Sequence, residues 1–257
     1  MLLSKVHCGD NVAVMKTFPD NCIDLTVTSP PYDEMRDYNG YKFDFKATAR
    51  ELFRVTKEGG RVVWIVGDQT KDFNESGTSF MQALHFKEIG FRLNDTMIWN
   101  KGSQATYNPS LKACKHYFEF MFIFSKGKPK TYNEIKDIET QLVGKELETY
   151  STRKPNGEIV KKKRQGTYGK FQARSNVWNI RPPINTTGHP APFPESIARD
   201  HIIMWSNEGD IVLDPFTGSG TTLKVAKLNN RKYIGIEISS EYCKIIDRRL
   251  DGFLPFY

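Results

Sequence analysis

Long hydrophobic runs are missing from the 257-residue sequence: none approaches the ~18–20 apolar residues that cross a bilayer. The opening MLLSKVHCGD has no signal-peptide core. No membrane partner is expected, and a cytoplasmic location is the expectation that the cysteine usage supports. Cysteine is scarce, with Cys8, Cys22, Cys114 and Cys243 and no CxxC pair, so neither a zinc site nor a dithiol redox motif is indicated. The expectation is reduced thiols buried as small apolar residues. No repeat and no low-complexity tract is present. Hydrophobic residues at 39% and charged residues at 26% exclude a disordered, collagen-like or coiled-coil chain. The length suits one large α/β domain with an insertion, or two small domains.

Charge of one sign is what the sequence has in excess, and it is concentrated. The formal net charge is +7. Residues 126–185 hold fourteen basic and six acidic residues, so the rest of the chain is close to neutral. This segment contains Lys161, Lys162, Lys163 and Arg164 in a row, with Gly144, Gly157, Gly166 and Gly169 as loop punctuation. Tyr150, Tyr168, Phe171 and Trp178 are interleaved. Lysines and arginines beside exposed rings suit phosphate contact with base stacking. A merely solvated surface excursion has the same composition.

Outside the segment, β-like and helix-like stretches alternate. Leu3–His7 is a short apolar run, and Asn11 is placed to cap a helix reaching Phe18. Strands are expected over Ile23–Thr28, Arg61–Val66, Ile211–Leu213 and Tyr233–Ile238. Helices are expected over Ala47–Val55, Ser79–Ile89, Pro194–Trp205, Thr221–Asn229 and Glu241–Leu250. Phe91–Trp99 and His116–Phe124 read as a strand pair at a sheet edge. The alternation predicts an α/β, doubly wound, mostly parallel sheet covered on both faces.

Two motifs carry chemistry. Asp214-Pro215-Phe216-Thr217-Gly218-Ser219-Gly220-Thr221-Thr222 sits between a strand and a helix, where its glycines permit a tight turn and close backbone approach to a ligand. Glu237 ends the next strand, at the offset from which a carboxylate can accept hydrogen bonds from two ribose hydroxyls. No lysine precedes Thr221, so this is not a phosphate-binding P-loop. The acidic Asp214 would repel a pyrophosphate and attract an amino-bearing ligand, which favours a nucleoside that carries an amino acid. A structural glycine turn is the alternative, and the less favoured one. The second motif, Thr28-Ser29-Pro30-Pro31-Tyr32, follows a buried strand at the carboxyl end, where open α/β sheets bind ligands. Its prolines lack N–H donors. The loop therefore offers acceptors and an aromatic face, a match for the exocyclic NH2 of a base, or else it is a rigid turn.

Together the motifs resemble those of the S-adenosylmethionine-dependent, amino-methylating DNA methyltransferases. Ser29-Pro30-Pro31-Tyr32 matches that family's catalytic signature, and Asp214–Thr222 its cofactor signature. Their order resembles the permuted β class, with a target-recognition region between the halves. The resemblance implies a seven-stranded Rossmann-like methyltransferase sheet, with 1–125 as the catalytic half, 126–185 as the basic DNA-binding insertion and 186–257 as the cofactor half. It gives catalytic roles to Ser29, Pro30, Pro31 and Tyr32. It gives the cofactor to Asp10, Thr28, Phe193, Asp214, Phe216, Gly218, Ser219, Gly220, Thr221 and Glu237. The basic residues Lys161, Lys162, Lys163, Arg164, Lys170 and Arg174 fall to DNA. Gly9-Asp10 stands where the family places an acid near the adenine. His189-Pro190-Ala191-Pro192-Phe193-Pro194 resembles the stretch that packs on the methionine part, and His189 receives no acid–base role. Trp99-Asn100-Lys101 and Tyr117–Lys126 resemble strands that line the base pocket.

The implied reaction moves a methyl group from S-adenosylmethionine to an amino nitrogen of a base flipped out of double-stranded DNA, leaving S-adenosylhomocysteine. A sulfonium that departs as a neutral thioether requires no metal. Serine at position 29 is the variant usual for cytosine N4, whereas aspartate is commoner for adenine N6. Carbon-5 methylation needs a thiolate that attacks C6, and no cysteine here lies in a Pro-Cys loop. An adenine-N6 enzyme, a catalytically inactive DNA-binding relative and a methylase of RNA or protein are the alternatives. A cognate restriction endonuclease and a homodimer are the partners that the resemblance allows.

Overall fold

The computed structural model describes residues 3–31, 43–102, 110, 114, 116–147, 149–163, 165–182 and 194–252. In chain order the elements are β1 (Lys5–Cys8), α1 (Asn11–Met15), β2 (Ile23–Thr28), α2 (Phe45–Val55), β3 (Thr56–Val66), β4 (Thr70–Lys71), β5 (Asn74–Glu75), α3 (Thr78–Glu88), β6 (Phe91–Asn100) and β7 (Phe118–Lys126). Then follow β8 (Lys136–Glu139), β9 (Tyr150–Arg153), β10 (Ile159–Lys162), β11 (Phe171–Ala173), β12 (Val177–Asn179), α4 (Glu195–Trp205), β13 (Ile211–Asp214), α5 (Thr221–Leu228), β14 (Lys232–Glu237) and α6 (Ser240–Leu250). Two compact units result: Met1–Asn133 with Asn176–Tyr257, and Glu134–Ser175.

The first unit is built on a sheet ordered β1-β14-β13-β2-β3-β7-β6-β12. All neighbours are parallel except those of β7, which runs antiparallel to both β3 and β6. Among the described residues the sheet thus has eight strands in place of the expected seven. The extra one is β12, which lies inside the stretch read as an insertion and pairs with β6. Consequently β6 and β7 are interior strands, and β12 is the edge. Trp178, grouped above with the stacking aromatics, is buried in β12, with its ring stacked on His201 at 4.6 Å between centroids.

Alternation along the strands decides which side chains meet which helices. Val62, Trp64 and Val66 of β3 join Met15, Ala49, Leu52, Ala83 and Phe86 of α1–α3 in one core cluster. Phe86 stacks on Phe124 at 4.7 Å and meets Trp64 edge-on at 5.1 Å. The indole N–H of Trp64 donates to Gln82 at 2.8 Å, so burial leaves that donor satisfied. Among the described residues, no helix is long and apolar enough to cross a membrane. Nor does any group of three or more His, Cys, Asp or Glu among them have the arrangement to hold a metal ion.

Two local expectations are corrected. Asp10 caps α1, its Oδ1 accepting from Ala13 N–H at 2.8 Å, while Asn11 turns inward and donates to Thr48 Oγ1 at 2.8 Å. With Asp10 in the cap position, Asn11 is free to satisfy a buried hydroxyl. Of the thiols only Cys243 is buried; Cys22 is half-buried, and Cys8 and Cys114 are exposed. Cys8 ends the edge strand β1, which a single neighbour covers.

Candidate active site

Two segments far apart in sequence meet because β2 and β13 are adjacent and parallel. Leu25 stands opposite Val212 and Thr26 opposite Leu213, so both strands finish on one edge. There the Thr28 hydroxyl donates to Asp214 Oδ1 at 2.7 Å, a buried hydrogen bond spanning 186 positions of sequence. Ser29 follows half-buried, then a buried Pro30 and a half-buried Pro31. The expected Tyr32, Arg164, His189 and Phe193 lie outside the described residues.

Asp214 is 1% exposed, and burial raises its carboxyl from 3.8 to about 6 despite hydrogen bonds from Thr28, Thr222 and Phe216 N–H. The Phe216 bond measures 3.1 Å to the same Oδ1 that Thr28 uses. The turn that follows needs its glycines: φ is 55° at Gly218 and 87° at Gly220, left-handed values that a Cβ disfavours. Gly220 is the N-cap of α5. A Cβ there would sit 3.0 Å from Ile246 of α6. Ser219 and Thr221 are buried in the same turn.

Glu237 closes the loop from the next strand. Its Oε2 accepts from Gly218 N–H at 2.8 Å and its Oε1 from Ser239 N–H at 2.9 Å. Burial raises this carboxyl, and the backbone donors oppose the rise. The carboxylate is therefore oriented by the loop it supports, with the backbone N–H groups of Gly218, Ser239 and Ile238 all bonding it. On the other side, Cys8 of β1 is in register with Glu237, which sets Asp10 two residues beyond it on the same edge. The chemistry present fits a nucleoside bearing an amino acid. The Glu237 carboxylate would accept from paired hydroxyls, the glycine turn permits close approach, and the buried Asp214 would draw an amino group when ionised.

Sequence reasoning missed the support beneath this loop. Arg249 of α6 donates to the Ser219 carbonyl at 2.7 Å and to Glu195 Oε1 at 2.9 Å. Lys224 of α5 donates to that same oxygen at 2.6 Å. In the sequence Arg249 is one more base in the last turn of a helix, where dipole complementarity is reason enough for it. No local pattern signals a partner thirty positions away.

The second unit spans Glu134–Ser175. It consists of β9 paired with β10 and β8 paired with β11, both antiparallel. Lys161 and Lys162 lie on β10, and Lys162 stands directly opposite Tyr150 in the register. Both are exposed, as is Lys163. Lys170 is also exposed, 5.1 Å from the centroid of Phe171 and 3.6 Å from Glu139. Arg174 differs: Nε donates to Asp137 at 2.8 Å and Nη2 bonds the same carboxylate, a forked pair that neutralises its charge. Four of the fourteen basic residues counted above belong to the first unit. One of them, Lys126, is structural there, donating to Asn21 and to the Phe53 carbonyl at 2.8 Å each.

Comparison with known proteins gives a consistent result. The profile of the N6/N4 DNA methylase family matches residues 23–248. The orphan methyltransferase M.BamHII of Bacillus amyloliquefaciens is 54% identical over 243 residues, covering 91% of each chain. The DNA adenine methyltransferase YhdJ of Escherichia coli is 30% identical over 254 residues, 95% of this chain and 81% of YhdJ. Among solved structures, a DNA modification methylase of Thermus thermophilus, TTHA0409, in complex with S-adenosyl-L-methionine matches with a TM-score of 0.67 at 26% identity, covering 98% of this chain and 95% of that one.

Proposed function

The chain belongs to the N6/N4 DNA methylase family, and from that premise we propose that it methylates the exocyclic N4 of cytosine at a short sequence in duplex DNA, using S-adenosylmethionine. The observation that carries this reading is the buried bond from Thr28 to Asp214, which ties the Ser29-Pro30-Pro31 turn to the glycine loop on one sheet edge.

The residues divide the work. Gly218, Gly220 and Glu237 would hold the nucleoside end of the cofactor, the ribose hydroxyls donating to the Glu237 carboxylate. Asp214, ionised above about pH 6, would favour the amino group of its methionine end. Asp10, Phe216, Ser219 and Thr221 stand along the same edge as candidates for the remaining contacts. Bound there, S-adenosylmethionine supplies a methyl group on a sulfonium that departs as a neutral thioether.

The target amine is a poor nucleophile because its lone pair is delocalised into the ring. Accepting hydrogen bonds at the Ser29 hydroxyl and the Pro30 carbonyl would favour a pyramidal nitrogen and hold it in the near-attack range of ~3–3.5 Å. Stacking on Tyr32 is the corresponding role of the aromatic position. The face of the β9–β10 hairpin that carries Lys162 and Tyr150, together with Lys161, Lys163 and Lys170, suits the phosphate backbone. Arg174, already paired with Asp137, contributes through the fold of its unit instead.

Serine at position 29 supports cytosine. The 30% identity to an adenine methyltransferase supports adenine N6 as the second reading. Plasmid DNA from a methylation-deficient host, incubated with labelled S-adenosylmethionine and digested to nucleosides, separates them. N4-methylcytosine is the expected product, and N6-methyladenine would promote the second reading. Label in 5-methylcytosine, or tight cofactor and DNA binding with no label in DNA, would defeat both.

A further inference from the structure

The strand beside β2 continues past the sheet edge into a projecting hairpin. In parallel pairing, Thr28 at the end of β2 stands opposite Trp64 of β3, and β3 runs on to Val66. Gly67, Asp68 and Gln69 then lead into β4 and β5, where Thr70 pairs with Glu75 and Lys71 with Asn74. Only Asp72 and Phe73 make the turn, and both are left-handed, with φ of 51° and 62°. Two-residue hairpins with positive φ at both centres ordinarily use Asn-Gly or Asp-Gly. Aspartate tolerates that region, but a bulky aromatic seldom adopts it.

Phe73 gains little burial in exchange. It is 69% exposed, the highest value among the exposed large hydrophobic residues described. The stalk that presents it is well anchored. Asp68 accepts from Ser79 N–H at 2.8 Å, from the Ser76 hydroxyl at 3.1 Å and from the Ser79 hydroxyl. Ser76 N–H donates to the Gln69 carbonyl at 2.8 Å, and Thr70 Oγ1 lies 3.1 Å from His116 Nε2. A braced hairpin thus holds a bare ring in solvent, on the same edge that delivers Ser29 and Asp214.

The rim of the ring is not built for phosphates. Lys71 is outnumbered by Asp72 and Glu75, and Asn74 is neutral. An aromatic tip with acidic and amide neighbours is matched to base faces and base edges. Apolar wedges entered between base steps unstack a duplex, and a base must leave the stack before its amino group can be methylated.

We propose that Phe73 is such a wedge, entering the base stack beside the target so that the everted base does not fall back. This rests on the duplex-DNA reading of the site given above. The test begins with unmethylated plasmid and the wild-type protein, sequencing the product to find the methylated position. A synthetic duplex of that sequence is then used, either fully paired or mispaired at the target base.

Phe73→Ala is expected to lose about tenfold or more in kcat/KM on the paired duplex and to return within about threefold of wild type on the mispaired one, where opening is already easier. Phe73→Trp, which keeps a stacking face, should stay within about threefold on both. Tm and the Kd for S-adenosylhomocysteine should not move, since the ring is mostly in solvent. Unchanged activity of Phe73→Ala on the paired duplex, equal loss on both duplexes, or a loss that tracks a fall in Tm would each overturn the wedge. A wild-type protein that labels no DNA would instead sink the duplex-DNA reading, a result distinct from these.

Discussion

The two compact units reach order by opposite means. In the unit of Met1–Asn133 with Asn176–Tyr257, fully buried side chains such as Trp64, Phe86 and Phe124 lock a sheet between helices. In Glu134–Ser175 no described residue is fully buried. Cross-strand pairing, the forked Arg174–Asp137 ion pair and the turn closed by Lys154 and Glu158 carry it instead. Apolar burial is the main favourable term in folding, and surface ion pairs add little. The second unit therefore keeps its basic and aromatic side chains in water, at a cost in stability. That arrangement is the one the proposed DNA contact of this unit requires.

The sharpest way to break this contrast is to damage each unit and ask what fails. Trp64→Ala removes a fully buried ring and strands Gln82, so unfolding stability should fall by about 3–5 kcal/mol in denaturant titration. Lysine changes in the second unit should leave stability where it was. Next in size is Ser29→Ala, which removes an acceptor that the target amine is proposed to use. About a 100-fold loss in kcat is expected, with the Kd for S-adenosylhomocysteine nearly intact. Equal loss of both would reduce Ser29 to a shaper of the turn.

The same contrast explains what is legible in the sequence. Buried strands announce themselves: Ile23–Thr28 is expected and observed residue for residue, and helices α2 to α6 fall within about two residues of their expected ends. The glycine loop is legible because φ at Gly218 and Gly220 leaves few other residues usable. The Arg249–Glu195–Lys224 support is not, because each partner has an adequate local reason to be charged. Nor is β12, three residues inside a basic stretch, whose place in the sheet depends on pairing with β6 rather than on its own pattern. Sequence composition locates the excess charge but cannot say that Arg174 spends it on Asp137 or that Lys126 braces the end of α2. Those outcomes are set by tertiary distance.

Smaller effects sharpen the division of labour. Glu237→Ala removes a carboxylate that braces Gly218 and Ser239 and is proposed to meet the ribose. Cofactor binding should weaken by about 1.5–3 kcal/mol by calorimetry, the scale of a charge-assisted hydrogen bond. An unchanged Kd would leave Glu237 a loop brace only. Changing Lys161, Lys162 and Lys163 to Gln together should weaken DNA binding uniformly across sequences. It should also lower the salt slope by about 0.9 for each lysine that meets a phosphate. A shift in cofactor Kd or Tm would mean that the second unit is not the separable surface described above.

The finest contrast is between charged and neutral Asp214. Folding raises its pKa from 3.8 to about 6 because the group is buried. The protonated form is thus the one the fold prefers: its stabilising contribution is full below about pH 4 and is lost as pH rises to about 6. The cofactor attraction proposed for Asp214 runs the other way, since only the ionised acid would draw an amino group. Wild-type affinity for S-adenosylhomocysteine should therefore be level above about pH 7, fall about twofold at about pH 6 and fall about tenfold by about pH 5. Asp214→Asn keeps an oxygen for Thr28 and Phe216 but cannot ionise; it should bind more weakly at neutral pH and show no such decline. A variant whose profile still bends near the same pH would assign the titration to another group, and Asp214 would then serve the site through the Thr28 bond alone.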